Sequence, residues 1–568
     1  MQDQDITPAG EGAIIEEPLI LGSADAVQWD VEADVIVVGF GGAGACAAIE
    51  AADQGCNVVI VDRFEGGGAT ALSGGVHYAG GTKVQAEAGI VDRAQDMYNY
   101  LRIETGDAVS DETLLRFCHE SGSNIEWLRF LGVEFGGNPY TSKTVYPPDG
   151  HFLYYSGNEP LPAYAAKARP AVRGHRVVGK GYTGHVYFSI LKKAVEQRFI
   201  PIQRHTKVVR LVQDTDRRVI GVEAIALPVR HHKDHLRQYK NVGPMPFTFE
   251  KAEKSIARAR TLENENGLRI RLRARRGVIL TTGGFCYNTH MLKQYMPNYA
   301  KFASAMLRMG SMGCDGSGIQ LGQSVGGEGR KLSNNFYGRI ISPPAAFVEG
   351  MIVNRHGRRF YNEDAYNAEL GEAIAEQPDG MAWLILDAEV WRKLRKQLVP
   401  KGDGQFVQWY LPALVNVIFG GSRKGRTLYA LAKKCGIDER GLQEEAQTSH
   451  ATIASGHGDP LGKSSDYFRA LGEGPYHAIN MSVWNKFMLA PFLTLGGLTV
   501  GEMSGQVISV DGKPIHGLYA AGRAAIGVCA NRYMSGMSLS DGVFSARRAA
   551  RHIAGRTLDT ECPAGDFS

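Results

Sequence analysis

The stretch from Val35 to Asp62 limits the possible fold more than any other part of the chain. A β-branched run leads into a turn where Gly39, Gly41 and Gly44 have the G-x-G-x-x-G spacing, and an alanine-rich segment follows. A second apolar run then ends at Asp62. This order predicts a βαβ unit whose glycines allow a tight turn, the approach of a pyrophosphate and close helix–strand packing.

The same unit predicts a dinucleotide site. The free N–H groups and the positive dipole end of its helix would face the phosphates. Asp62 would accept hydrogen bonds from the ribose hydroxyls, as an acid roughly 20 residues after the glycines does in such units. Strand, glycines, helix and acid together favour a ligand site over a glycine-rich turn without a ligand.

The bulk composition indicates a globular protein with a large ligand. At 568 residues the chain exceeds a single core, so we expect two or more domains. Its 70 glycines are well above ordinary usage and suit a chain that lays much backbone against a ligand. The net charge of +4 is small for this length and does not indicate a nucleic-acid partner.

Cysteine usage and the termini bear on location. The eight cysteines are scattered, without a C-x-x-C pair or a His/Cys cluster at metal spacing, so no metal site is expected. A reducing cytoplasm fits this usage best. The N-terminus lacks the pattern of a signal peptide, and no apolar run is long enough to span a membrane. We therefore expect a cytoplasmic protein and leave peripheral membrane association open.

The patterning along the chain predicts an interrupted domain. Residues 1–30 look like an extension, and strand-and-glycine patterns occupy 31–325 and return in 495–568. Residues 326–494 carry fewer glycine motifs, more Trp and Tyr, and amphipathic helices such as 438–456. The predicted fold class is α/β, with a Rossmann-like domain interrupted by an α+β catalytic cap domain.

A net basic insertion separates two predicted strands at roughly residues 228–267. A solvated helical hairpin is the favoured interpretation. One alternative is a patch that rests on an anionic membrane and helps to capture a lipophilic substrate. Another is a metal site from His231, His232 and His235, although no acid stands at a supporting spacing.

Five further motifs, in chain order, resemble the FAD motifs of the fumarate reductase/succinate dehydrogenase flavoprotein superfamily. They are GGGATALSGG at 66–75, ARRGVILTTGGF at 274–285, CDGSGIQLG at 314–322, LTLGGLTV at 493–500 and IHGLYAAGR at 515–523. The resemblance covers most of the chain and implies a Rossmann-like FAD-binding domain. In that family the first βαβ unit binds the ADP part of FAD, and the first glycine loop runs beside the flavin.

The resemblance also implies a set of FAD-binding residues. These are Gly39, Gly41, Gly42, Ala43, Gly44, Asp62, Arg63, Gly68, Ala69, Thr70, Ser73, Gly74, Gly75, Val208, Thr282, Gly283, Gly284, Asp315, Gly522, Arg523, Ser538 and Leu539. A histidine linkage to the flavin would require a histidine in the 66–75 loop, which has none, and His77 lies just past it. Non-covalent FAD is expected.

The dicarboxylate reductases of the superfamily use cationic groups that this chain lacks. Leu493 stands at their H-T-x-G-G histidine, and Asn367 stands at the proton-donating arginine of R-F-x-N-E-x-x-x-R. Only Arg532 could match a remaining substrate arginine. Fumarate or succinate is therefore not expected as the substrate.

Tyrosines stand nearby instead. Tyr366 in NEDAY and Tyr533 in NRYMSGMSLSDG resemble the 3-ketosteroid dehydrogenases of the superfamily. The sequence YMSGMSLSDG at 533–542 is similar to the Y-x-S-G-x-S-L-x-D-G pattern of the Δ4-(5α) group rather than to the Y-P-G-x-G pattern of Δ1-dehydrogenases. Asn531-Arg532, where a small glycine-rich pair is more typical, departs from that group.

The resemblance implies desaturation of a 5α-3-ketosteroid. A donor polarises the C3 carbonyl, a base takes a C4 proton, and flavin N5 takes the C5 hydrogen as hydride. We expect Tyr533, with a backbone N–H of the 536–538 turn, to polarise the carbonyl. Ser535 with Tyr366 would form the base and its relay, and the roles of Tyr533 and Ser535 could be exchanged.

Three alternatives remain open at this point. A Δ1-dehydrogenase shares every cofactor motif, and an ene-reductase of the fumarate reductase type would use Arg532 as an anion anchor. A flavin-bearing binding or sensor protein is the alternative outside enzymology. The sequence has no second cofactor motif for haem or Fe–S, so a separate electron carrier or a quinone is the implied acceptor.

Overall fold

The structure is a computed structural model that describes residues 15–400 and 406–555. Its helices are α1 (Gly42–Asp53), α2 (Gly68–Leu72), α3 (Lys83–Glu87), α4 (Ala94–Thr105), α5 (Asp111–Phe130), α6 (Pro162–Ala165), α7 (Gly184–Gln197), α8 (Val229–Asn241), α9 (Phe249–Asn266), α10 (Thr289–Tyr295), α11 (Pro297–Ala300), α12 (Ser317–Ser324), α13 (Leu370–Ala375), α14 (Ala388–Gln397), α15 (Leu411–Phe419), α16 (Leu428–Cys435), α17 (Glu439–Ala454) and α18 (Met537–Ile553).

The strands are short except in the central sheet. They are β1 (Leu19–Ile20), β2 (Val31–Val38), β3 (Val58–Val61), β4 (Val76–Tyr78), β5 (Pro139–Tyr140), β6 (Leu153–Tyr154), β7 (Gly174–Arg176), β8 (Ile202–Gln203), β9 (Thr206–Gln213), β10 (Val219–Ala226), β11 (Leu268–Leu280), β12 (Leu307–Arg308), β13 (Gly329–Arg330), β14 (Asn335–Tyr337), β15 (Met351–Val353), β16 (Trp383–Leu386), β17 (Arg423–Gly425), β18 (Tyr476–Asn480), β19 (Pro491–Thr494), β20 (Gly497–Leu498), β21 (Gln506–Ile508) and β22 (Pro514–Ala520).

The central sheet contains the predicted βαβ unit. Its strand order is β1-β9-β10-β11-β2-β3-β8, and β22 pairs with both β11 and β21. Strand β2 is parallel to β3 and β11, and α1 connects β2 to β3. The residues of β3 are all buried, as expected for a parallel strand covered on both faces. The predicted Rossmann-like core is confirmed.

Strand β11 joins two parts of this sheet. Its first half pairs antiparallel with β10, and its second half pairs parallel with β2 on one side and β22 on the other. The chain therefore returns to the same sheet after residue 500, which agrees with a cofactor domain interrupted by a long insert.

The basic insertion forms a helical hairpin of α8 and α9, but the hairpin is not fully solvated. Ala252, Ile256 and Ala259 of α9 are buried in one core cluster with Leu272 of β11. One face of the hairpin thus packs on the sheet. The described residues contain no group of three or more His, Cys, Asp or Glu side chains that could hold a metal ion, so the three-histidine site is not formed there.

The segment 326–494 contains a second, antiparallel sheet. Its order is β15-β16-β18-β17, and α16 and α17 pack on it through residues such as Leu431 and Leu442. The mixed α/β class is therefore confirmed. The predicted domain boundaries stay predictions. Strand β12 lies before residue 326 but pairs with β19, which lies within the predicted cap domain.

Four further features of the sequence have structural outcomes. The segment from 140 to 178 contributes β5, β6 and β7 to a small sheet with β4, although its sequence looks irregular. The seven cysteines that the structure describes are buried and free. None of the described helices is long and apolar enough to cross a bilayer. Part of the predicted N-terminal extension, residues 1–14, lies outside the described residues.

Candidate active site

One long cavity of about 520 Å³ runs from the carboxyl ends of the central strands to the insert. Val38 of β2 and Val61 of β3 lie at one end, and Tyr366 and Trp409 lie at the other. Its volume is within the usual range for ligand pockets, roughly 300–1,000 Å³. Open parallel sheets bind ligands at this edge, where strand ends and helix N-termini meet.

The glycine turn forms the floor of this cavity. Gly39 has φ +103°, and a Cβ there would lie 2.8 Å from the carbonyl oxygen of Thr281. Gly41 and Gly42 line the cavity, and the Gly42 N–H donates to Thr70 Oγ1 at 2.9 Å. Backbone therefore approaches the cavity without side-chain obstruction at the N-terminus of α1, which fits a pyrophosphate.

Asp62 serves both the turn and the cavity. Its carboxylate accepts the N–H groups of Phe40 and Phe64, each at 2.7 Å, and the residue lines the cavity. Burial raises the pKa of Asp62, and these two hydrogen bonds oppose that shift. A carboxylate has lone pairs beyond these two, so Asp62 can still accept a ribose hydroxyl.

Arg63 connects the cavity to the helical hairpin. Its Nε lies 2.6 Å from Glu263 Oε1 of α9, and its Nη1 lies 2.9 Å from Asp315 Oδ2. Burial alone would raise the pKa of Glu263, but Arg63 and the hydrogen bond from His235 hold it far below its ordinary value. The hairpin is thus held to the end of β3 by a buried ion pair.

The hairpin side of the cavity is suited to an aromatic base. Phe64, Tyr239 and Met245 line this end, and the Phe64 and Tyr239 ring centroids lie 4.6 Å apart. Tyr239 and Met245 belong to the basic insertion, which sequence patterning did not connect with the cofactor. With the glycine floor and Asp62, these residues fit the adenosine half of FAD.

Most of the predicted FAD-binding residues line the cavity. Those that do are Gly39, Gly41, Gly42, Ala43, Asp62, Arg63, Gly68, Ala69, Thr70, Ser73, Gly74, Val208, Thr282, Gly283, Asp315, Gly522, Arg523, Ser538 and Leu539.

Three predicted glycines do not line it and serve packing instead. A Cβ at Gly44 would lie 1.9 Å from the Gly39 oxygen, one at Gly75 would lie 2.5 Å from Thr183 Oγ1, and one at Gly284 would lie 2.2 Å from Thr494 Oγ1. Their lack of a side chain therefore serves close approach between parts of the chain.

The proposed catalytic residues lie together at the other end. Tyr366, Tyr533 and Ser535 all line the cavity, and Tyr366 and Tyr533 pack in one apolar cluster with Phe336 and Leu493. Burial raises the pKa of Tyr533 to about 12, with Cys529 adding to the shift and Arg523 opposing it. Burial also raises the pKa of Tyr366 well above its ordinary value. Both phenols are therefore protonated and available as donors near neutral pH.

Sequence patterning missed Tyr154, which touches this group. Its hydroxyl lies 2.8 Å from Ser535 Oγ, and burial raises its pKa above that of a free tyrosine. The Ser535 N–H donates to the Ser156 carbonyl oxygen at 3.2 Å, which fixes the serine against the same segment. The only sequence signal was the tyrosine-rich character of residues 140–178.

Asn367 and Arg532 differ in what they offer to a ligand. Asn367 lines the cavity and is 3% exposed, and its side-chain nitrogen and oxygen have no hydrogen-bond partner among the described residues. Arg532 does not line the cavity, and its guanidinium lies 2.8 Å from Glu369 and 3.7 Å from Glu104. Arg532 is thus engaged by carboxylates of the chain itself.

Histidine does not face the cofactor region in the described part of the chain. The cavity wall there contains no histidine, and His77 is 1% exposed, with its ring 4.6 Å from that of Tyr187. The histidine nearest in sequence to the flavin loop is therefore enclosed in the core.

A family model described as an FAD binding domain matches residues 34–539, nearly the whole chain. The chain belongs to this FAD-binding family. The flavoprotein fold and FAD cofactor predicted from the motifs are thereby confirmed.

The relatives of this chain include steroid dehydrogenases and fumarate reductases. A 3-oxo-5-alpha-steroid 4-dehydrogenase of Comamonas testosteroni is 37% identical over 529 residues, which cover 89% of this chain and 96% of that protein. The crystal structure of 3-ketosteroid-delta4-(5alpha)-dehydrogenase from Rhodococcus jostii RHA1, in complex with 4-androstene-3,17-dione, has a TM-score of 0.77 at 29% identity. The match covers 95% of this chain and 100% of the Rhodococcus chain.

A more distant relative shares the fold. The 3-ketosteroid delta1-dehydrogenase of Sterolibacterium denitrificans has a TM-score of 0.63 at 20% identity, covering 92% of this chain and 99% of that one. The residues around Tyr533 resemble those of the 3-ketosteroid dehydrogenases. The similarity to the Comamonas and Rhodococcus proteins agrees with that resemblance.

Proposed function

We propose that this chain is an FAD-dependent 3-oxo-5α-steroid 4-dehydrogenase, which introduces the C4–C5 double bond into 3-ketosteroids. The observation that carries the proposal is the meeting of Tyr366, Tyr533 and Ser535 at one apolar end of the FAD cavity. Neutral hydroxyl donors suit a ketone in an apolar pocket, because they polarise a carbonyl without an unpaired buried charge. The steroid named for the two nearer relatives supports this substrate class.

Tyr533 is the proposed carbonyl donor. It is protonated at neutral pH and stands next to the 536–538 turn, whose backbone N–H would add a second donor. Two aligned donors stabilise the charge that develops on the oxygen as the C4 proton leaves. The enolate oxygen would then receive the same support that an oxyanion hole gives.

Ser535 is the proposed proton acceptor. Its hydroxyl would take the C4 proton while its own hydrogen passes to the oxygen of a neighbouring phenol, either Tyr366 or Tyr154, whose own proton leaves towards solvent. Such a transfer needs short hydroxyl contacts rather than a charged base. When bound, FAD supplies the two-electron acceptor for the hydrogen at C5.

The electron acceptor and the location belong to the same proposal. We propose that a separate carrier or a quinone reoxidises the flavin, that FAD is bound without a covalent link, and that the enzyme works in the cytoplasm. The hairpin of α8 and α9 carries exposed cations such as Lys233, Lys240 and Lys251 on its outer face, which supports contact of this surface with an anionic membrane.

Anaerobic mixing tests the proposed reaction. The purified holoenzyme is mixed with 5α-androstane-3,17-dione or androst-4-ene-3,17-dione, the oxidised-flavin absorbance is followed, and products are identified by mass spectrometry. Bleaching by the saturated ketone with the 4-ene as product is expected. Bleaching by the 4-ene to a 1,4-diene would instead assign Δ1-dehydrogenation, and no bleaching by either would remove the steroid substrate.

Substitutions test the residues. Tyr366→Phe and Tyr533→Phe should each slow bleaching by about a hundredfold or more, because positioned proton donors contribute on this scale. Tyr519→Phe is the matched control, since Tyr519 is buried but hydrogen-bonds His552 outside the cavity. Turnover within about tenfold of the parent, at equal FAD content, would show that these phenols do not act in the reaction.

A further inference from the structure

The segment of residues 406–419 has two different apolar faces. On the inner face Trp409 and Pro412 line the cavity, and the Trp409 ring centroid lies 6.0 Å from that of Tyr182. On the outer face Ile418 and Phe419 are 59% and 64% exposed. One short element therefore forms both the wall of the substrate end and an apolar surface.

This apolar surface extends beyond the segment. The Phe487 ring centroid lies 6.1 Å from that of Phe419 and 5.4 Å from that of Phe247, which belongs to the α8–α9 connection and is 59% exposed. We call this surface the apolar rim and define it as Val407, Leu411, Ile418, Phe419, Phe247 and Phe487. Surface side chains of this size are rarely grouped on a monomeric protein unless they meet a partner or a lipid.

Exposed cations outnumber exposed carboxylates next to the apolar rim, where the exposed Glu250 follows Phe247. Residues 406–422 contain no Asp, Glu, Lys or Arg, and no carboxylate side chain follows until Asp438. Exposed cations stand next to the rim in the sequence. Arg423 comes shortly after Phe419, and Lys486 precedes Phe487. Lys180 precedes Gly181, where an added Cβ would lie 3.1 Å from Gln408 Nε2. An apolar surface bordered by cations is complementary to an anionic lipid surface.

We propose that the apolar rim seats on an anionic phospholipid bilayer. Ile418, Phe419 and Phe247 enter the acyl boundary, and the neighbouring cations meet the headgroups. A second copy of the chain fits less well, because Lys180, Arg423 and Lys486 beside the rim outnumber the neighbouring Glu250, so two facing rims would bring like charges together.

The position of the rim gives this contact a purpose. Val407 of the rim is 70% exposed and also lines the cavity beside Trp409 and Pro412, so a seated protein would present its substrate end to the lipid. An apolar substrate dissolved in the bilayer then reaches the cavity without crossing water. This last step rests on the proposed steroid substrate, whereas the bilayer contact does not.

Flotation with lipid vesicles tests the contact. The FAD-loaded full chain is floated with vesicles of phosphatidylcholine alone and with vesicles containing phosphatidylglycerol. The parent protein should float with the anionic vesicles and more weakly with the neutral ones. The double variant I418S/F419S should reduce the bound fraction at least about tenfold, since both main apolar anchors are lost. Phe130→Ser is the matched control, because Phe130 is 83% exposed at the end of α5 and outside the rim.

Three outcomes would overturn the proposal. One is no flotation of the parent protein with anionic vesicles. Another is flotation that I418S/F419S leaves intact, which would show that the rim has no part in the contact and leave the basic hairpin to carry it. The third is concentration-dependent dimerisation, by analytical ultracentrifugation, that I418S/F419S abolishes. Anaerobic turnover of a dissolved steroid by I418S/F419S should equal that of the parent, so failure of the membrane contact and failure of the proposed reaction are told apart.

Discussion

The hydroxyl oxygens of Tyr154 and Ser535 lie 2.8 Å apart, although 381 positions separate the two residues in the chain. The short strand β6 thus supports the loop that carries Ser535. Both the backbone and the side chain of Ser535 are held, the first by the Ser156 carbonyl oxygen and the second by Tyr154. This pairing gives the proposed base a hydroxyl partner.

Removing that partner should slow the reaction. We expect Tyr154→Phe to lower the rate of anaerobic flavin reduction by roughly tenfold or more, because Ser535 loses its partner for proton transfer. FAD content should be unchanged. Tyr155→Phe is the control, since Tyr155 follows β6 and packs against the apolar cluster of Leu153 and Val172, whereas Tyr154 hydrogen-bonds Ser535. Equal rates for the two variants would contradict the relay.

Asn367 should affect ligand binding and stability in opposite directions. Its buried amide lines the cavity without a protein partner, so a ligand oxygen or N–H is its natural partner. Asn367→Leu is expected to raise the KM for the ketone about tenfold or more while leaving the thermal midpoint unchanged or higher. Steady-state kinetics measure the change in KM, and thermal unfolding measures the change in the midpoint. An unchanged KM would mean that the amide faces no ligand.

Arg532 should matter for stability rather than for binding an anion. Its charge is engaged by Glu369 and by the buried Glu104. Arg532→Gln is expected to lower the free energy of unfolding by about 1–3 kcal/mol, discounted for the partial exposure of the pair, with little change in KM. Adding Glu104→Gln should restore part of the loss. A large rise in KM at unchanged stability would instead favour an anion anchor and a reductase.

Buried histidines should make the fold sensitive to acid. Burial lowers the pKa of His175 to about 4 and that of His77 to about 3. Below about pH 6.5 the unfolded chain binds protons at these residues and the folded chain does not, so stability falls as the pH drops towards 4. Each histidine contributes a slope of up to about 1.4 kcal/mol per pH unit.

Chemical unfolding checks this slope. Urea midpoints are compared at about pH 7.5 and about pH 5.5 with FAD in excess, for the parent and for His77→Phe. The variant keeps an aromatic ring against Phe135 and Tyr187 but cannot bind a proton. Its loss of stability over this interval should be about 1 kcal/mol smaller than that of the parent. Identical losses would exclude His77 as a source.

The predictable parts of the structure are those that local spacing determines. The turn at Gly39 and the helix after it follow from G-x-G-x-x-G, and the helical hairpin follows from its charge and turn pattern. Long-range pairings were not predictable. The contacts of Tyr154 with Ser535 and of Arg63 with Glu263 depend on how distant strands are arranged, and no local signal encodes them.

Glycines show a second limit. Gly42 faces the cavity, whereas Gly75 and Gly284 accommodate Thr183 and Thr494. Either role demands the absence of a Cβ, so the same residue type in the same kind of motif serves a ligand in one place and chain packing in another. Only the three-dimensional neighbours distinguish the two.

The pairing of β11 with β22 has a consequence for biosynthesis. The cavity wall includes Val38 near one end of the chain and Gly542 near the other, and β22 reaches the sheet only after residue 513 has been made. A nascent chain emerging from the ribosome therefore has no closed site for FAD until β22 and the start of α18 have been translated. Flavin loading must follow the synthesis of α18, and removing that helix would leave an apoprotein with its dinucleotide turn open to water.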